Sequence, residues 1–158
     1  MNYFIFDLDN TLYQDNSQIV VDPEKLDKLN KIGKIILFSN ASNQHCIEWL
    51  KKLKITKYFS VIVSSDTFNM FKPNPNLYKN LIRNCGILRR DTVFFFDDMQ
   101  INLFPAYQIG WNTILIRKDY QKTKFYELNL KNNNYINNHF DNVNIAIDYV
   151  LFFLDETS

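Results

Sequence analysis

Residues 3–13 read YFIFDLDNTLY. The apolar run Tyr3–Phe6 stops abruptly at two carboxylates two positions apart, Asp7 and Asp9. An apolar run without alternation is the pattern of a strand buried on both faces. Two like charges at its tip cost energy unless a cation lies between them. The pair therefore raises the question of what holds it together.

The same pattern recurs along the chain. Short apolar runs at Ile35–Phe38, Val61–Val63, Thr92–Phe96 and Thr113–Ile116 are each followed by polar residues. Helix signals lie between them. Pro23 to Ile32 carries Leu26, Leu29 and Ile32 at helical spacing. Ser42 suits the N-cap of a helix in which Ile47, Leu50 and Leu53 share a face. Asn74-Pro75 reads as an N-cap followed by proline at the first helical position, with Leu77, Leu81, Ile82 and Cys85 on one side and Gly86 at the exit. A further helix is expected from about Asn102 to Gln108, which puts Pro105 in its first turn.

The predicted architecture is α/β: a Rossmann-like three-layer α/β/α domain around a central parallel sheet. Residues 1–117 form the expected core, 118–139 an Asn/Lys-rich loop, and 140–158 a C-terminal helical region packing on the core. In that last region the helix itself is expected from about Asn142 to Phe153. Asn occupies eight of the sixteen positions 129–144. Because Asn and Lys are abundant throughout while Gly and Ala number three each, scattered Asn is background composition rather than signal.

Composition disfavours several classes without excluding a local nucleic-acid patch. Of the 158 residues, 46% are apolar, and fourteen Phe with nine Tyr supply core material for one domain. Eighteen basic and seventeen acidic side chains nearly cancel, so no strong field favours nucleic acid or a membrane surface. No apolar stretch approaches the ~18 residues of a membrane span. The N-terminal run lacks a basic leader and is cut short by Asp7 and Asp9, so no signal peptide is expected. Cys46 and Cys85 have no metal-like spacing and fit reduced thiols in a cytoplasmic protein.

In parallel α/β sheets, ligands bind beyond the carboxyl ends of the strands. The residues there are Asp7 and Asp9; Ser39 and Asn40; Ser64, Ser65 and Asp66; and Asp97 and Asp98. If the first and fourth strands are neighbours, their acidic tips crowd one spot. Oxygen ligands without a His or Cys pattern favour Mg²⁺ over zinc. Ser39 and Asn40 offer a hydroxyl and backbone N–H groups to phosphate oxygens. Lys72, before Pro73, is pushed to an extended conformation and presents a fixed ammonium. One carboxylate can attack phosphorus while the second shuttles a proton. Thr11, on the intervening turn, is expected to orient that second carboxylate.

Four ordered motifs then resemble one family. Asp7-Leu8-Asp9-Asn10-Thr11-Leu12, Ser39, Lys72 with Pro73, and Asp97-Asp98 trailed by Asn102, Ala106 and Gly110 are similar to the motifs of haloacid dehalogenase-like (HAD) phosphohydrolases. The resemblance spans residues 3–117. It implies a HAD-like fold in which Asp7 is nucleophile and Mg²⁺ ligand. It implies that Asp9 is the general acid/base and ligates Mg²⁺ through its carbonyl. Ser39 with Asn40 would bind the phosphoryl group, Lys72 would neutralise it, and Asp98 supported by Asp97 would complete the metal site. The presence of Asp9 implies a phosphatase rather than a dehalogenase.

Relatives often insert a cap domain between these motifs. Here one flap and one helix fill Thr11 to Ser39, and a helix, a strand and a loop fill Ser39 to Lys72, so the chain resembles capless members. That implies either macromolecular substrates or a cap borrowed from a second copy in a homo-oligomer. Leu8–Tyr13 and Ser39–Asn43 resemble pyrimidine 5′-nucleotidase-like members, whereas the length and Phe95-Phe96-Asp97-Asp98 resemble magnesium-dependent phosphatases. The alternative to an enzyme is a non-catalytic phosphate- and metal-binding scaffold or phospho-switch. Of the remaining polar residues, Asp66 reads as a loop or cap residue, and His45 and His139 as surface histidines. Lys51, Lys52, Lys54 and Lys57 read as ordinary cations near a helix end. For Tyr13, in the flap, stacking on a leaving group is the second reading, behind that of a flap residue without substrate contact.

Overall fold

In the computed structural model, residues 1–15, 18–118 and 134–157 are described. The elements alternate: β1 (Asn2–Phe6), α1 (Pro23–Ile32), β2 (Lys34–Phe38), α2 (Asn43–Lys52), β3 (Phe59–Val63) and the short α3 (Ser65–Phe68). They continue with α4 (Pro75–Cys85), β4 (Thr92–Asp97), α5 (Gln100–Gln108), β5 (Asn112–Ile116), β6 (Asn138–Phe140) and α6 (Val143–Thr157). The six strands form one sheet in the order β3-β2-β1-β4-β5-β6, and every pairing is parallel. The fold is the predicted Rossmann-like α/β type. Among the described residues no inserted domain stands between β1 and β4.

Both faces of the sheet are covered, which is why its strands are apolar without alternation. Phe4, Phe6, Ile35, Leu37, Phe94 and Phe96 face one layer with Leu26, Leu29, Leu50 and Ile147. Tyr3, Ile5, Ile36, Phe38, Val93 and Phe95 face the other with Leu77, Tyr78, Leu81 and Leu103. Phe6 stacks on Phe96 at 4.3 Å between centroids, directly beneath the acidic strand tips. Each fully buried Phe contributes about 1.5–3 kcal/mol, so the tips stand on a stiff base. Gly33 permits the close entry into β2, since a Cβ there would lie 2.4 Å from the carbonyl oxygen of Asn2.

The expected helices form, with local differences. In α2, Cys46 and Leu50 are buried while Ile47 is exposed, and in α1 Ile32 is also exposed. In α2 the core-facing stripe therefore keeps the expected Leu50 and Leu53 but takes Cys46 in place of Ile47. Helix α5 begins at Gln100, because only Asp98 and Met99 separate it from β4; Pro105 thus lies in its second turn, buried in the core. The expected loop 118–139 lies outside the described residues from 119 to 133, and its end enters β6. Three half-buried residues of mixed polarity carry no strand signal. β6 is held by its neighbour: the Thr113 amide donates to Asn137 Oδ1 (2.9 Å) and its hydroxyl to the Tyr135 carbonyl (2.6 Å). Helix α6 runs on to Thr157 and packs against α1, β5 and β6.

The last helix also fastens the segment after β1. This segment forms a flap: the Gln14 amide bonds the Ile19 carbonyl and the Val21 amide bonds the Leu12 carbonyl. Asn144 takes both sides of its root, accepting from the Asp22 amide (2.8 Å) and donating to the Val20 carbonyl (3.0 Å). No helix among the described residues is long and apolar enough to cross a membrane.

Candidate active site

The β1–β4 register pairs Phe6 with Phe96, and the Asp7 amide continues the ladder to the Phe96 carbonyl at 2.9 Å. Asp7 and Asp97 are therefore side by side at the point where the strand order reverses, the usual ligand position of such sheets. Oxygens of Asp7, Asp97 and Asp98 lie within 4.8 Å of one another.

Lys72 reaches into this cluster from the loop before α4. Its Nζ donates to Asp7 Oδ1 (3.1 Å), Asp97 Oδ2 (2.8 Å) and the Phe38 carbonyl (2.7 Å). The ammonium is almost wholly buried. Burial opposes its charge, but Asp7 and Asp97 outweigh that and hold it above its ordinary value. Asp97 is fully buried; besides Lys72 it accepts from the Met99 amide (2.9 Å) and from Asn102 Nδ2.

Charge does not balance here. Three carboxylates face one ammonium, leaving two negative charges uncompensated. Burial, then the adjacent Asp7, pushes Asp97 above the usual carboxylate range. Burial and a shared hydrogen bond with Asp7 push Asp98 further, to about 9. Oxygen-only donors with two excess negative charges fit a hard divalent cation, which would take the place of the proton on Asp98.

Each expected site residue has a definite place. Ser39 is buried at the tip of β2, its Oγ accepting from the Ala41 amide at 3.0 Å. Asn40 is exposed, but its side chain clamps the Lys72 backbone: Oδ1 accepts from the Lys72 amide (2.7 Å) and Nδ2 donates to its carbonyl (3.1 Å). That amide thus mounts Lys72 rather than reaching for a ligand. Thr11 corrects its expected role. The helical turn after Leu8 places it over Asp7, and its hydroxyl donates to Asp7 Oδ2 (3.2 Å), not to Asp9. Asp66 accepts from the Asn43 amide (2.7 Å) at the start of α2, the cap role its position suggested.

Two residues belong to the site more closely than their sequence positions suggested. Tyr13 donates its hydroxyl to Asp9 Oδ1, and His45 Nε2 lies 2.9 Å from the same oxygen. The Tyr13 ring is spent on Trp49, stacked at 3.8 Å and 5°, so it is not a free face for a leaving group. His45 was legible only indirectly, as the third residue after the Ser42 cap, which points it along the start of α2 toward the sheet edge. Cys46 is buried and Cys85 half-buried, and neither forms a disulfide.

A sequence model described as haloacid dehalogenase-like hydrolase matches residues 23–116. Among solved structures, the chain is similar to a D,D-heptose 1.7-bisphosphate phosphatase from B. bronchiseptica complexed with magnesium and phosphate. The TM-score is 0.69 at 14% identity, over 97% of this chain and 99% of that one. It is similar to a dehalogenase at TM-score 0.65 and 20% identity, over 80% of this chain and 54% of the other. The L-2-haloacid dehalogenase from Xanthobacter autotrophicus gives 0.65 and 17%, over 82% and 59%. The chain thus spans little more than half the length of these dehalogenases. Identities this low speak for a shared fold, and the activities remain those of the proteins compared.

Proposed function

We propose that this chain, which belongs to the haloacid dehalogenase-like hydrolase family, hydrolyses phosphomonoesters through a phosphoaspartate on Asp7. The observation that carries the reading is the buried cation Lys72, seated 3.1 Å from Asp7 Oδ1 in a cluster that already fits a divalent ion, with Asp9 two residues along at the mouth.

The roles follow from position. Lys72 and Thr11 fix the Asp7 carboxylate so that one oxygen can meet phosphorus in line. As the new bond forms, the ester P–O bond breaks, and Asp9 delivers its proton to the departing oxygen. Asp9 then takes a proton from a water that attacks the phosphoaspartate, releasing phosphate and restoring Asp7. In this reading the Ser39 hydroxyl and the backbone N–H of Asn40, whose side chain is taken up by Lys72, would hold phosphoryl oxygens, while Lys72 would offset their charge. Mg²⁺, held by Asp7 and Asp98 with the Asp9 carbonyl and with Asp97 behind them, would neutralise charge at the phosphoryl centre.

Asp9 supports a phosphatase over a dehalogenase, which has no leaving oxygen to protonate. The substrate class stays between nucleotide or sugar phosphates and phosphorylated macromolecules. The lack of an inserted domain among the described residues supports an open mouth that admits large substrates, with a second copy of the chain as the closure small ones need. The test is a panel of phosphomonoesters including nucleotides, sugar phosphates, phosphopeptides and 3′-phosphorylated oligonucleotides. Turnover should require Mg²⁺ and stop with chelator; no turnover of any member would refute the proposal.

A further inference from the structure

Asp9 is gripped by two side chains from two different elements, and both land on one oxygen. Tyr13, on the flap, donates to Oδ1, and His45, in the first turn of α2, approaches that same atom at 2.9 Å. Among the described residues nothing reaches Oδ2.

The grip is itself held. Tyr13 lies flat on Trp49, one helical turn beyond His45 on α2. The Ser42 hydroxyl accepts from the His45 amide at 3.2 Å and fixes the start of that helix. Flap and helix therefore meet through the Tyr13–Trp49 stack, and their two donors converge where Asp9 stands. Both Asp9 and His45 remain more than one third exposed, so the carboxyl is fixed yet open to what leaves the site.

We infer that Tyr13 and His45 are positioning residues for the acid/base step, fixing Asp9 by Oδ1 so that Oδ2 is the oxygen that gives and takes the proton. The inference rests on the phosphatase reading above. An aspartyl χ2 is broad when unrestrained, and proton transfer is efficient only from a positioned group. Oδ1 accepts hydrogen bonds whether Asp9 is neutral or ionised, so the clamp survives the whole cycle. In the first half-reaction the Oδ2–H proton passes to the ester oxygen as its bond to phosphorus breaks. In the second, Oδ2 takes a proton from water as the water oxygen bonds phosphorus and the Asp7 oxygen is released. With His45 donating from Nε2, no third group is needed.

The test separates positioning from bracing of the flap by varying how much the leaving group needs a proton. 4-Nitrophenyl phosphate releases a weakly basic phenolate, whereas 4-nitrobenzyl phosphate, of similar shape, releases a strongly basic alkoxide. In the full-length protein with Mg²⁺, Tyr13→Phe and His45→Ala should lower kcat/KM for the benzyl ester at least ~10-fold more than for the phenyl ester. Asp9→Asn should show a larger split of the same sign. His45→Gln, which keeps an N–H donor at similar reach, should recover most of the benzyl activity. Tyr13→Phe keeps the stack on Trp49 and carries the test should His45→Ala fail to fold. Equal losses on the two esters, no loss on either, or a Gln variant as poor as Ala would overturn this assignment alone. A wild-type protein idle on both esters would overturn the phosphatase reading beneath it.

Discussion

Lys72 Nζ lies 2.8 Å from Oδ2 of Asp97, a carboxylate with no solvent exposure. The pair is part of the fold as much as of the site. Removing one member of a buried ion pair leaves an uncompensated charge, which costs more than the intact pair contributes. Lys72→Met should therefore lower stability by about 3–5 kcal/mol as well as abolish turnover. Urea unfolding, monitored by circular dichroism, measures the first effect. A variant as stable as wild type would show that Asp97 is neutral or solvated.

Asp7 has a chemical role that Asn cannot fill. Asp7→Asn should reduce hydrolysis of an aryl phosphate by at least ~10³-fold while leaving the fold intact. Asp9→Asn should still accept phosphate from this good leaving group and release it slowly. Rapid-quench detection of the labile phosphoenzyme distinguishes the two. A phosphoenzyme persisting for minutes in the wild-type protein would instead mark a switch.

The crowding of carboxylates makes the metal-free protein sensitive to pH. Asp98 titrates near 9 in the fold against about 4 in an unfolded chain. A raised carboxyl contributes stability that is fully present below the unfolded value and is lost as pH rises through the folded one. The metal-free protein should thus lose stability between pH 5 and pH 9. Mg²⁺ should displace the proton, so its thermal stabilisation should be larger at pH 8 than at pH 5, reaching about 2.7 kcal/mol at one hundred times Kd. Melting curves at the two pH values, with Mg²⁺ and with chelator, check the sign.

Asn40 should matter through Lys72. Asn40→Ala removes two hydrogen bonds to the Lys72 backbone, each worth about 0.5–1.5 kcal/mol. A looser ammonium should lower kcat roughly 10- to 100-fold with little change in metal affinity. Calorimetric Mg²⁺ titration beside steady-state kinetics separates these quantities.

Sheet, strand tips and acidic cluster were legible because each is written locally. A buried parallel strand is a short apolar run, and the residue after it faces the ligand edge. Asp7, Ser39 and Asp97 could be placed by that rule alone. Most of what escaped depends on contacts distant in the chain, and one piece on the exact form of a local turn. Nothing in Asn138–Phe140 announces a strand, since it is held by Thr113. The direction of the Thr11 hydroxyl follows from a tight turn, not from its nearness to Asp9. Asn40 resembles any asparagine in an Asn-rich chain until the Lys72 backbone lies against it. His45 has no periodic signature, because its partner is thirty-six positions away.

Asn144 comes late in the sequence, yet it secures the far root of the flap that follows β1, at Val20 and Asp22. During synthesis, Asp7, Asp9 and Lys72 leave the ribosome well before it does. A nascent chain can therefore assemble its acidic cluster, with Tyr13 already against Trp49, before the root of the flap at Val20 and Asp22 is fastened. Competence for turnover should arrive late, with the closing helix rather than with the residues that carry out the reaction.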